Sequence, residues 1–111
     1  MIYSVRYTDQ VRNAVLEQAR YIAVDCCAPI NAERWLERVW DAVDSLEQWP
    51  RRCSLAQEND FRSFEIRNIS VDGYLLAYTI DDDARTVWVI GFRHGRQQPR
   101  PDDLLEEVPP A

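Results

Sequence analysis

The period of the apolar residues changes twice along this chain, and that order of periods restricts the fold more than any single residue does. Residues 2–7 alternate with period two, with Tyr3, Val5 and Tyr7 on one face and Ile2, Ser4 and Arg6 on the other. β-Branched and aromatic residues in that pattern predict a strand. The period then becomes helical. Thr8 or Asp9 can cap a helix in which Val11, Ala14, Val15, Ala19 and Ile22 form one stripe. Pro29 interrupts it, and Asn31 is a plausible cap for a second helix. There the stripe is Trp35, Val39, Ala42, Leu46 and Trp49, flanked by Leu36, Trp40 and Val43 and stopped by Pro50. Two such helices on a short link form an antiparallel hairpin. Residues 51–60 read as a loop. Period two returns in Phe61–Ile69, Tyr74–Ile80 and Arg85–Phe92, separated by turns at Asp72-Gly73 and Asp81-Asp82-Asp83-Ala84. The reading is α+β: an N-terminal strand, a two-helix hairpin, then an antiparallel three-stranded meander completing a sheet packed on the helices.

With 111 residues, 46% of them hydrophobic, the chain suits one domain with one modest core. We place that domain at residues 1–98 and an acidic, proline-flanked tail at 99–111, in which one helical turn at Asp103–Glu107 or none is expected. No apolar run approaches the roughly 20 residues of a membrane helix, and the N-terminus lacks the apolar core of a signal peptide, so a cytoplasmic protein is expected. Cys26, Cys27 and Cys53 make no Cys-x-x-Cys pair and read as reduced packing residues. The Asp81-Asp82-Asp83 run reads as a turn rather than a metal site, and nothing calls for a cofactor.

A net charge of −6 argues against a generic nucleic-acid binder, yet the charge is unevenly spread. Residues 51–101 hold eight arginines against seven acids, whereas residues 102–111 hold four acids and no base. Every cationic side chain of the Lys/Arg class is arginine, which presents a planar fork to phosphate and cannot act as a neutral base. The last alternating stretch, Val87-Trp88-Val89-Ile90-Gly91-Phe92, runs into Arg93-His94-Gly95-Arg96, with the only histidine of the chain. Trp88 alternates with Val87 and Val89 and is expected on the open face of the sheet, where an aromatic ring can stack a base or receive a partner. Trp40 lies off the helix stripe and is a second candidate for partner contact, while Trp35 and Trp49 read as core.

Several short pieces occur in a particular order: Tyr7-Thr8, Tyr21-Ile22-Ala23, Ala32 with Trp35-Leu36, Ser45 to Cys53 around Trp49-Pro50, Phe64-Glu65-Ile66-Arg67, Gly73 to Ile80, and Arg93-His94-Gly95-Arg96. Together, over residues 3–97, they resemble the RelE/ParE superfamily of toxins from type II toxin–antitoxin systems. That resemblance implies a growth-inhibiting toxin neutralised by a cognate antitoxin, with one of two targets. RelE-like members enter the ribosome and cut messenger RNA; ParE-like members poison DNA gyrase. An inactive relative that only binds its antitoxin is a third possibility.

The resemblance leans slightly toward the ribonuclease. RelE-like nucleases share the chemistry among lysines, arginines and a late tyrosine, and arginines stand at matching places here: Arg62, Arg67, Arg93 and Arg96. There is no lysine, and no tyrosine follows Tyr78, so the late tyrosine position is empty. His94 can take its place as acid or base, or serve as a structural residue bonding to backbone. The implied catalytic set is therefore Arg67, His94, Arg93 and Arg62. Arg51, Arg52, Tyr74, Trp88 and Arg96 are candidates for holding nucleic acid or the target. A Glu65–Arg67 surface pair competes with phosphate binding, and Tyr74 can instead face the core. The acidic tail, Asp102-Asp103 to Glu106-Glu107, is either solvated or folded back on the arginines.

Overall fold

A computed structural model describes residues 2–99 and Leu104. The expected elements of the tail, including the helical turn at 103–107, lie outside the described residues but for Leu104.

Strand β1 (Ser4–Tyr7) leads into helix α1 (Asp9–Val24). Thr8 caps α1, its Oγ1 accepting from the Val11 amide at 3.2 Å, and Val11, Val15 and Ala19 are buried as their spacing requires. Helix α2 (Pro29–Asp44) starts two residues earlier than Asn31. Pro29 opens the helix rather than interrupting it, because a first-turn residue has no intrahelical acceptor for its missing N–H. The helix also ends earlier. Asp44 is its last residue, and tight turns at Ser45–Glu47 and Pro50–Arg52 follow. Leu46 still reaches the core, but Trp49, read as the end of the buried stripe, is 79% exposed. Trp40 is half-buried and stacks on Tyr7 at 5.0 Å rather than standing free.

The sheet has the order β1-β4-β3-β2, with β2 at Arg67–Val71, β3 at Tyr74–Asp81 and β4 at Thr86–His94. The three later strands form the expected antiparallel meander, turning at Asp72 (φ 51°) and Gly73 (φ 86°), the left-handed pair that matches strand twist. β1 differs in joining β4 in parallel, Ser4 to Thr86 through Tyr7 to Val89.

Two cores result. Trp35, Val39, Val43 and Leu46 pack with Val11 and Val15 against Leu76, Tyr78, Val87 and Val89 on the helix side of the sheet. The opposite face is covered too. The stretch read as a loop crosses it, with a further short helical turn at Gln57–Phe61, and Ala56, Ile66, Ala77, Ile90 and Leu104 form a second cluster beside Phe61, Phe64 and Trp88. This is why strand pairing begins at Arg67 and not at Phe61. The 54–56 segment also closes the outer edge of β2, with Asn68 N–H donating to Ser54 O and Ala56 N–H to Ile66 O, which removes an edge open to unwanted pairing.

A bulge in β4 connects the two cores. Ala77 pairs with Gly91 and Tyr78 with Val89, leaving Ile90 as the extra residue. Val87 and Val89 face the helices, and after the bulge Phe92 does so again.

Candidate functional site

The arginines expected to act together are sorted by the sheet into separate groups. Arg67 lies opposite Tyr78 on β3, and His94 lies opposite Tyr74. Four residues of strand separate those positions, about 13 Å, with β3 between them. Arg93 and His94 are neighbours on one strand and so face opposite sides.

The first group is the corner where α2 ends and β2 begins. Arg67 donates to Glu65 at 2.8 Å and to the carbonyls of Arg51 and Cys53, so the surface pair weighed against phosphate binding does form. Arg51 forks onto Asp82, Nη1 to Oδ1 at 3.0 Å and Nη2 to Oδ2 at 2.6 Å, and Tyr3 donates its hydroxyl to the same carboxylate at 3.0 Å. These bonds hold the Asp82 carboxyl below its ordinary value, the Arg51 bond first and the Tyr3 bond second. Arg52 turns back onto the end of α2, donating to Ser45 O, Gln48 O, Trp49 O and Ser45 Oγ. It satisfies carbonyls left without helical partners. Beneath the corner, Tyr78 donates its buried hydroxyl to Pro50 O. Burial, and then a bond to the Cys53 thiol, push the Tyr78 phenol well above its usual range. Cys53 is half-buried; Cys26 and Cys27, read as packing residues, are exposed at the turn between the helices.

The second group lies on the sheet face away from the helices. Arg93 grips Glu58 through Nε and Nη2 at 3.1 and 3.2 Å, with side chains only 11% and 5% exposed, and also donates to Gln97 O at 2.9 Å. Arg62 is in the connecting segment rather than in a strand, and donates to Phe61 O and Leu104 O. Trp88 is half-buried in this cluster with the Arg6 guanidinium 6.0 Å from its ring centre, so it is not the exposed stacking platform expected of it.

The third group is the end of β4. His94 Nδ1 accepts from the Arg96 backbone N–H at 3.1 Å, and the ring meets Tyr74 edge-on at 5.1 Å. Tyr74 faces the core. It stacks on Phe92 at 5.3 Å, meets Trp35 edge-on at 5.4 Å and accepts from Gln18 Nε2 at 2.7 Å. Arg96 is exposed.

Sequence reasoning missed Glu58, whose isolated position in a polar stretch gave no sign of burial. It also missed the outward turn of Trp49, for which there was a signal: a residue before proline avoids the helical region, and Trp49 sits at φ 48°, ψ 57°.

Comparison with known proteins places this geometry in context. The family described as ParE toxin of type II toxin–antitoxin system, parDE, matches residues 5–99. No curated protein matches the chain. A chain of the toxin–antitoxin complex RelBE2 from Mycobacterium tuberculosis shares the fold, with a TM-score of 0.60 and 22% identity over 85% of this chain and 92% of that one. No helix among the described residues is long and apolar enough to cross a membrane.

Proposed function

Because the chain belongs to the ParE toxin family of type II toxin–antitoxin systems, we propose that it arrests growth by binding a protein, DNA gyrase, rather than by cutting RNA, and that a cognate antitoxin neutralises it. The observation that carries this reading is the dispersal of the arginines and His94. RNA cleavage needs an acid or base and a cation within hydrogen-bond reach of one phosphate. Arg67 and His94 belong to different ends of the sheet. Arg93 is spent on Glu58, and Arg67 on Glu65 and two carbonyls. Without lysine or a tyrosine after Tyr78, His94 alone would carry the proton transfers. Binding a protein surface needs no such convergence.

The ribosome-dependent ribonuclease keeps one observation in its favour. His94 Nε2 has no hydrogen-bond partner among the described residues, so the ring retains one nitrogen open to a substrate. Two assays separate the readings. Purified protein added to gyrase and relaxed plasmid should block supercoiling or trap cleaved DNA, and messenger-RNA 5′ ends should stay unchanged after induction without antitoxin. New ends in phase with codons, lost in Arg67→Ala or His94→Ala, would overturn the gyrase reading. Growth unaffected by induction would leave only an antitoxin-binding relative.

A further inference from the structure

Cysteine is among the residues most often buried, yet Cys26 and Cys27 both lie exposed on the turn between α1 and α2. Neither belongs to either core. The turn does not depend on their side chains. Backbone bonds tie it, from Cys26 N–H to Tyr21 O at 3.2 Å, Cys27 N–H to Val24 O at 3.3 Å and Ala28 N–H to Ile22 O at 3.2 Å. Cys27 also takes the left-handed conformation, φ 52°, that glycine or asparagine fills best after a helix. Packing and backbone conformation thus leave two adjacent thiols unexplained, and thiols have a chemistry of their own.

Adjacency decides which chemistry. The peptide bond between them is trans, which sets their Cα atoms about 3.8 Å apart. An unstrained disulfide needs roughly 4.4–6.8 Å and draws its sulfurs to about 2 Å, so the two thiols are poorly placed to oxidise to each other. An ion held between them relaxes that demand. With metal–sulfur bonds of about 2.3 Å the sulfurs stand up to roughly 4.6 Å apart, within reach of exposed side chains that turn about χ1.

The donor set selects the ion. Zinc in a closed site takes four ligands, and among the described residues no three His, Cys, Asp or Glu side chains are grouped to hold a metal. Asp25 therefore does not complete the pair. Soft thiolates favour Cu(I), and a soft monovalent ion is satisfied by two of them. Tyr21 stands beside one ligand. The charge of the Cys26 sulfur first, and a hydrogen bond with it second, raise the Tyr21 phenol. A hydroxyl that donates to a bound thiolate holds that ligand in place. Cys27 Sγ, by contrast, makes only a weak bond to Val24 O at 3.6 Å, which is readily given up.

We infer that Cys26 and Cys27 form a binding site for one soft, thiophilic ion of low coordination number, Cu(I). Binding joins the ion to both sulfurs and releases both thiol protons, with no change of oxidation state. The inference is independent of which target the protein inhibits.

The test titrates the reduced full chain with Cu(I), without oxygen, against a coloured Cu(I) chelator. Wild type is compared with Cys26→Ser, Cys27→Ser and Cys53→Ser, each checked for folding by circular dichroism. Wild type should take one ion per chain and gain a thiolate-to-copper absorption band in the ultraviolet. Cys26→Ser and Cys27→Ser should each lose about 100-fold in affinity or more, because the remaining thiolate has no tethered neighbour. Cys53→Ser should bind as wild type does, and an equal amount of Zn(II) should not displace the ion. Unchanged affinity in either serine variant of the turn would overturn the inference, as would an absence of binding, dependence on Cys53 or displacement by Zn(II). One ion to two chains would assign the sulfurs to a contact between copies and overturn it equally.

Discussion

Two arginine–carboxylate forks of the same design stand at opposite parts of this molecule. Arg93 holds Glu58 under the connecting segment, where the side chains are 11% and 5% exposed; Arg51 holds Asp82 at a corner where they are 49% and 56% exposed. The bond lengths are similar, and the exposed fork is the shorter. Geometry therefore does not set their importance; water does. A buried ion stripped of its partner keeps a desolvation cost that no solvent offsets, whereas an exposed one is rehydrated at once. The first fork fastens the segment that closes the second sheet face. The second fork keeps an arginine in place beside Trp49.

The sharpest way to break this contrast is Glu58→Ala, which strands Arg93. It should lower stability by about 3–5 kcal/mol, measured by urea denaturation, and increase amide exchange across residues 56–66. A loss below 1 kcal/mol would mean that water reaches the pair and that the two forks are alike. Tyr78→Phe is next. It leaves Pro50 O buried without its donor and should cost about 1–3 kcal/mol. The raised phenol also gives a pH dependence. Its folded value lies above the unfolded value of 10.0, so the stabilisation is complete below that pH and is lost as pH rises past it toward the folded value. Wild type should therefore lose stability above about pH 10 more steeply than Tyr78→Phe; parallel alkaline transitions would refute this. Asp82→Asn should cost less than about 1 kcal/mol, and a larger loss would erase the distinction between the forks. Trp49→Gly should change stability least, within about 0.5 kcal/mol and in the stabilising direction if relief of the left-handed strain exceeds the added freedom of the unfolded chain. A clear destabilisation would mean that the indole packs against the corner.

The elements were legible where period and punctuation agree. Thr8 before the Val11–Val15–Ala19 stripe and Asp72-Gly73 between alternating runs specify structure within a few residues, and both were found where expected. The errors have two causes, contacts between residues far apart in sequence and the position of proline. Residues 50–66 carry no period of their own because they are shaped by the sheet face they cover. The helix ends were misread where proline acts by position, as an opener at Pro29 and as a constraint on its predecessor at Pro50. At the candidate site, residue type was a poor guide to role. Arginine serves equally to grip a phosphate, cap a helix or pair with a carboxylate, and Arg52, Arg67 and Arg93 are engaged in the latter two ways. His94 bonds to backbone at the strand end, the structural alternative the sequence left open, while a role in chemistry remains for the assays proposed above.

The extra residue at Ile90 has a consequence for how this strand can vary. Upstream of it, Val87 and Val89 are committed to the helices; downstream, Phe92 is committed to the same side and Arg93 to Glu58 on the other. The two halves are in phase only because one position is left over. A lineage that lost the Ile90 codon would set Val89 and Phe92 two residues apart, where plain alternation keeps both on the helix side; one that kept the residue but straightened the strand would turn Phe92 out toward Glu58 and drive a guanidinium in among Trp35 and Tyr74. What this stretch has to preserve is the match between its residue count and its bulge.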